Sequence, residues 1–140
     1  MSQLPPLNSN EKRELINACL TAHATLKGGA WQQDFLACDE RGLRCEPWSN
    51  RATCWCLAGI LYKVTNFNTP TRGSKDRPLA LYWHLSDAVR ATIAERENIP
   101  VSEVNVPNWN DHPDRSPQDV LDVLHATYQR LDALHGRPTA

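Results

Sequence analysis

The densest chemistry in the chain lies in seven residues, Asn108-Trp109-Asn110-Asp111-His112-Pro113-Asp114, which bring together an indole, carboxamides, an imidazole and two carboxylates. Ser116-Pro117 follow, a pair suited to opening a helix whose free N–H groups would sit close by. One reading makes Asp111 a general base or ligand anchor, with Asn110 and His112 beside it and Trp109 as a stacking wall. That would be a small-ligand pocket or a hydrolase-type enzyme. The competing reading is plainer: Asn and Asp side chains bond backbone N–H groups a few residues on, so Asn110 and Asp111 serve as turn or cap residues fixing the entry to the last helix. Local bonding of this kind is the ordinary occupation of such residues in loops, so the scaffold reading is preferred and catalysis is not the first expectation. Burial of Asp111 separates the two.

Metal and nucleophile chemistry has weaker signals. Cys38, Cys45, Cys54 and Cys56 could gather around zinc, with Cys38 and Cys45 facing each other across a hairpin. The one-residue spacing of Cys54-Trp55-Cys56 argues against it, because neighbours two apart on a helix point about 200° apart. Cys56 falls in the most apolar segment, where a thiol is buried and inert. The histidines His23, His84, His112, His125 and His135 form no His-x-x-x-His or His-Glu pairing, and His23 lies on an apolar helix face. No glycine-rich phosphate loop and no Gly-x-Ser-x-Gly turn is present. Neither a metal nor a cofactor is expected.

The tryptophans and one basic stretch remain as binding candidates. Trp31, Trp55 and Trp109 can meet in one aromatic cluster that pins the hairpin and the late loop onto a central helix. Trp48 and Trp83 fall near element ends, where an exposed indole anchors a partner. Lys63, Arg72, Lys75 and Arg77 make a local cationic stretch suited to an acidic protein or a phosphate chain, although such runs are usually just solvated.

The elements that must position these residues follow from periodicity. Residues 1–8 form a loose, proline-rich tail, 9–136 one globular domain, and 137–140 a short C-terminal tail. Asn8, Ser9 or Asn10 can cap a first helix with Leu15, Ile16, Cys19, Leu20, His23 and Leu26 on one face, stopped by Gly28-Gly29. Two extended runs, Trp31 to Cys38 and Leu43 to Trp48, joined through Gly42, read as a β-hairpin. The next helix, from Ala52 to Val64 with Ser49 or Asn50 as cap, is apolar on every face and therefore central. Residues 66–78 read as a long exposed loop. Asp76 can cap a third helix running until Ile99-Pro100, with Leu81, Tyr82, Leu85, Ala88, Val89, Thr92 and Ile93 inward. An extended linker through Val101, Val104 and Val106 leads to the Trp-Asn-Asp segment, and a last helix starts at Pro117 with Val120, Leu121, Leu124, Thr127, Tyr128, Leu131 and Leu134 inward. The fold class expected is mainly α (α+β), four helices around the apolar one with a single hairpin.

Two separated segments together resemble a known family. The first is Trp31-Gln32-Gln33, the hairpin and Trp55-Cys56-Leu57-Ala58-Gly59-Ile60-Leu61; the second is Trp109-Asn110-Asp111 with Arg115-Ser116-Pro117-Gln118-Asp119-Val120-Leu121. They are similar to the small bacterial and bacteriophage proteins of domain of unknown function 6197, in which a Trp-Cys-Gln usually opens the first segment where Gln32 stands here. The resemblance implies no activity. It implies a bacterial or phage origin, and shared positions at Trp31, Trp55, Cys56, Gly59, Trp109, Asn110 and Asp111.

Bulk properties narrow the partners. With 140 residues, 15 basic against 16 acidic and a formal charge of −1, the chain has no field that would gather nucleic acid or coat an anionic membrane. No apolar run is long enough to span a bilayer, the N-terminus lacks secretion-signal blocks, and five cysteines, an odd number, disfavour a disulfide framework. A cytoplasmic, non-catalytic binding protein with a protein partner is the leading expectation, acting through Trp109, Asn110, Asp111, Trp31, Trp83, Arg72, Lys75 and Arg77.

Overall fold

A computed structural model describes Leu4, residues 6–67 and residues 77–136, with the backbone alone at 77–79. The chain is mainly α with a small antiparallel strand pair. The elements are α1 (Ser9–Thr25), a π-turn (Leu26–Ala30), β1 (Ala37–Cys38), β2 (Cys54–Trp55), α2 (Leu57–Val64), α3 (Arg77–Glu97), a 3-10 turn (Val101–Glu103), α4 (Val106–Asp111) and α5 (Pro117–His135). The tips of the expected cationic stretch, Arg72, Lys75 and the Arg77 side chain, lie outside the described residues, as do most of the 66–78 loop, the Asp76 cap and the C-terminal tail.

α1 starts where its capping residues dictate. Asn8 Oδ1 accepts from the Glu11 N–H at 2.8 Å while Glu11 reaches back to the Asn8 N–H at 3.0 Å, a reciprocal capping box. Gly29, at φ 98°, ends the helical run through a π-turn. At the other end of the chain Ser116 and Asp119 build a second capping box, with Pro117 in the first turn of α5. α5 packs along α1 and α3, and its Val120, Val123, Leu124 and Leu131 close the core against Leu15, Cys19 and Ala22 of α1 and Leu85, Val89 and Ile93 of α3.

The hairpin expected from Trp31–Cys38 and Leu43–Trp48 is corrected in its pairing. The turn exists: Asp39 Oδ1 accepts from the Arg41 and Leu43 N–H groups, and Gly42 takes φ 80°. Beyond it only a single bridge, Cys38 with Arg44, forms, because Glu46-Pro47 interrupts the returning run and proline has no N–H to donate. β1 instead pairs with β2, in the register Ala37 with Trp55 and Cys38 with Cys54. The central helix is corrected likewise. It begins at Leu57 rather than Ala52, since Cys54 and Trp55 are spent on the strand, and its cap is Cys56, whose Sγ accepts from the Gly59 N–H at 3.3 Å. Cys54 and Cys56 are therefore not two positions of one helix.

α2 is the apolar centre all the same. Leu57 to Leu61 are all buried, and the helix touches α1, α3 and α4. Gly59 is what lets the backbone leading into β1 approach it, because a Cβ there would run into the Leu36 carbonyl oxygen. The stretch expected as an extended linker and turn folds instead as α4, capped by Asn105 accepting from the Asn108 N–H at 2.9 Å, with Pro107 in its first turn. No described helix is long and apolar enough to cross a membrane.

Candidate functional site

α4 is too short to stand alone, and what it does is turn Trp109 and Asn110 inward under α2. Asn110 is wholly buried, at 0% exposure. Its Oδ1 accepts from Trp31 Nε1 at 2.6 Å and from the Leu57 N–H at 3.0 Å; its Nδ2 donates to the Gln32 carbonyl at 3.1 Å and to Asp111 Oδ1 at 3.0 Å. Two acceptor sites and two donors are all that a carboxamide has, and all four are used. The Leu57 N–H is one of the orphan donors at the start of α2, so Asn110 also completes that cap from another part of the chain.

The neighbours repeat the pattern. Gln33 Nε2 donates to the carbonyls of Asn110 and His112, at 3.0 and 2.9 Å, and the Asp34 N–H donates to Asp111 Oδ1 at 2.9 Å. Asp34 holds φ 82°, an uncommon value for a residue with a side chain, and its bond to Asp111 helps hold the backbone there. Residues 31–34 are thereby laced to residues 110–112. Asp111 is half-buried and His112 exposed, its Nδ1 accepting from the Asp114 N–H at 3.1 Å. The sequence brought Asn110, Asp111 and Trp31 to one place; the structure gives them each other, and the Asn110 carboxamide has no capacity left for a ligand.

The three indoles do not stack as one cluster, which corrects that expectation. Trp31 points its Nε1 at Asn110. Trp55 donates to the Pro47 carbonyl at 2.9 Å, and Trp109 lies under the Arg115 guanidinium, 3.9 Å from the ring centroid, with its Nε1 3.3 Å from Glu97 Oε2. They are joined through backbone and amide: Trp31 bridges Trp55, and the Gln32 N–H donates to the Trp55 carbonyl at 3.1 Å. A buried indole N–H requires a polar partner, and each of these found a different one.

Residues 13–130 match the model of a family described as Family of unknown function (DUF6197), which is most of the chain. The chain belongs to that family. No curated protein and no solved structure matches it. The DUF6197 match spans both segments of the Asn110 hub.

The rings that do meet in this DUF6197 chain were not singled out as a group by the sequence. Tyr62 stacks on Tyr82 with centroids 4.3 Å apart, Phe67 sits edge-on to both at 4.9 and 5.0 Å, Trp48 stacks on Phe67 at 6.3 Å, and Trp83 meets Tyr82 at 5.2 Å. Burial, and then the hydrogen bond with Tyr62, push the Tyr82 phenol above its usual range. Trp83 remains 46% exposed at the edge of this cluster, as its position near the start of the third helix suggested, whereas Trp48 is half-buried. The signal that could have found the cluster is Tyr62 and Phe67 flanking the end of α2, opposite a Tyr82-Trp83 pair.

The thiols divide by depth. Cys19 donates to the Leu124 carbonyl, and burial pushes its pKa up to about 12; Cys56 is also raised by burial, more than its backbone bonds offset. Neither is a nucleophile near neutral pH. Among the described residues no three His, Cys, Asp or Glu side chains are placed to hold a metal ion.

Proposed function

We propose that this protein is a small, non-catalytic binding protein of bacterial or bacteriophage origin, working in the cytoplasm on a protein partner such as a host enzyme or a component of a defence complex. The observation that carries the reading is Trp83: a large indole, 46% exposed, backed by the Tyr82, Tyr62 and Phe67 rings. Aromatic side chains held rigid in this way lose little entropy on docking and supply much of the energy of protein interfaces. The rival, a hydrolase-type or small-ligand site on Asp111, Asn110 and His112, loses support because Asn110 is saturated and Asp111 Oδ1 is already shared between Asp34 and Asn110. The near-neutral balance of charge disfavours nucleic acid as the partner.

Affinity capture from the native host with wild-type and Trp83→Ala protein tests the reading. The partner should be lost from the variant while its melting temperature stays within about 2 °C of wild type, since an exposed side chain contributes little to folding. Capture unchanged by Trp83→Ala, together with a turnover activity abolished by Asp111→Asn, would replace the binding protein with the enzyme.

A further inference from the structure

The register of β1 against β2 sets Cys38 directly opposite Cys54. Opposed residues of an antiparallel pair have Cα atoms roughly 4.5–5.5 Å apart, inside the roughly 4.4–6.8 Å range that a disulfide spans. The bridge of Cys38 with Arg44 on its other edge puts Arg44, Cys38 and Cys54 in one cross-strand row, while Cys45, whose N–H donates to the Ala37 carbonyl at 3.2 Å, belongs to the neighbouring row with Ala37 and Trp55. Successive residues of a strand point to opposite faces, so Cys45 is the wrong partner for Cys38 and Cys54 the right one. Both thiols are free. Cys54 is half-exposed, which admits a small oxidant from solvent.

We infer that Cys38 and Cys54 form a reversible oxidation site, closing a cross-strand disulfide when the protein meets a peroxide. The Cys54 thiolate attacks hydrogen peroxide: an S–O bond forms, the O–O bond breaks, and the departing hydroxide takes up the thiol proton as water, leaving a sulfenic acid. The Cys38 sulfur then attacks the Cys54 sulfur; the S–S bond forms, the S–O bond breaks, and the second hydroxide leaves with the Cys38 proton as water. Two thiols lose two hydrogens and one peroxide becomes two waters. A dithiol such as dithiothreitol reverses the change by thiol–disulfide exchange.

The site is wired to the Asn110 hub. The Cys38 thiol donates to Gln32 Oε1 at 2.7 Å, and the Gln32 carbonyl is the acceptor for Asn110 Nδ2. Oxidation removes that S–H donor, so the redox state of the strand pair reaches the segment that carries Trp31 and Gln33. Cys19 and Cys56 are too deep to compete.

The test treats the reduced, desalted full-length protein with hydrogen peroxide, counts thiols in denaturant, and maps peptides without reduction. The expected result is a fall from five thiols to three, with the Cys38 peptide linked to the peptide bounded by Arg51 and Lys63, and recovery of all five on adding dithiothreitol. That second peptide holds both Cys54 and Cys56, so Cys54→Ser must abolish the link and Cys45→Ser must leave it intact, with circular dichroism confirming that each variant folds. Should Cys54→Ser not fold, fragmentation of the wild-type linked peptide assigns the bond instead. Five thiols surviving, sulfinic acid at Cys54 without a link, or a bond from Cys38 to Cys45 or to a second molecule would overturn the inference.

Discussion

Asn110 ties three parts of the chain with one side chain, and its value follows from what its removal would leave behind. Asn110→Ala strands the Trp31 Nε1–H and the Leu57 N–H in the interior, and a buried donor without an acceptor costs more than the bond itself was worth. The expected loss is about 2–4 kcal/mol of unfolding free energy, read by urea denaturation. Asp111→Ala should cost less, about 1 kcal/mol, because Asp111 is half-buried and water can replace it at Asp34. A larger effect at Asp111 than at Asn110 would contradict the hub. The sequence marked both residues as a turn-forming pair, and it could not reveal the hub because the partners at Trp31 to Asp34 lie more than seventy positions upstream. Local rules see local bonds, whereas every bond that decides the role of Asn110 but one is long-range.

At the scale of elements, what was readable was what is written locally. Ser116 and Pro117 announce the start of α5, and Asn8 was one of three candidate caps for α1, the one the structure uses. What was not readable was set by tertiary pairing. Cys54 and Trp55 open an apolar run that fits a helix, and only the presence of Ala37-Cys38 alongside makes them a strand. Cysteine is not among the usual caps, so Cys56 gave no boundary signal. α4 was missed because six residues hold no periodicity. Gly59 shows how tightly these elements meet: its missing side chain admits the Leu36 carbonyl, and backbone cannot step aside as a side-chain tip can. Gly59→Ala is a helix-favouring change that should gain up to about 1 kcal/mol by propensity alone. The clash with the Leu36 carbonyl decides the sign, and a net loss of about 3 kcal/mol is expected by thermal or urea unfolding. A stabilised variant would mean that the Leu36 backbone does not approach α2 so closely.

For the molecule as a whole, charge is nearly balanced and the ion pairs between α3 and α5, Arg96 with Asp119 and Asp122 and Arg130 with Glu95, are solvent-exposed, so they add little to stability. The pH response must come from groups whose pKa the fold has shifted, by burial or by hydrogen bonds. His23 on α1 has its pKa lowered, first by burial and then by Lys27 and by His125 of α5, whose ring centroid is 6.2 Å away; Asp122 opposes them. His135 at the end of α5 is lowered by burial, Lys12 and His84. In both cases the unfolded chain binds a proton more readily than the folded one. Stability is then full above the ordinary histidine value of 6.5 and declines as pH falls through it toward the lowered folded values. The carboxylates work in the same direction lower down: Asp119, held below its usual range chiefly by its bond to the Ser116 N–H, and Asp39, held down by the Leu43 N–H, contribute stability above 3.8 that is lost on acidification. A melting temperature followed from pH 8 to pH 3 should therefore fall in two stages, the first belonging to the seam between α1 and α5. His23→Gln should shrink the first stage to the share of His135 and leave the second untouched, because glutamine keeps a polar side chain at the position without a proton to gain. An unchanged first stage in that variant would move its origin to His135, which the corresponding His135→Gln curve would then show.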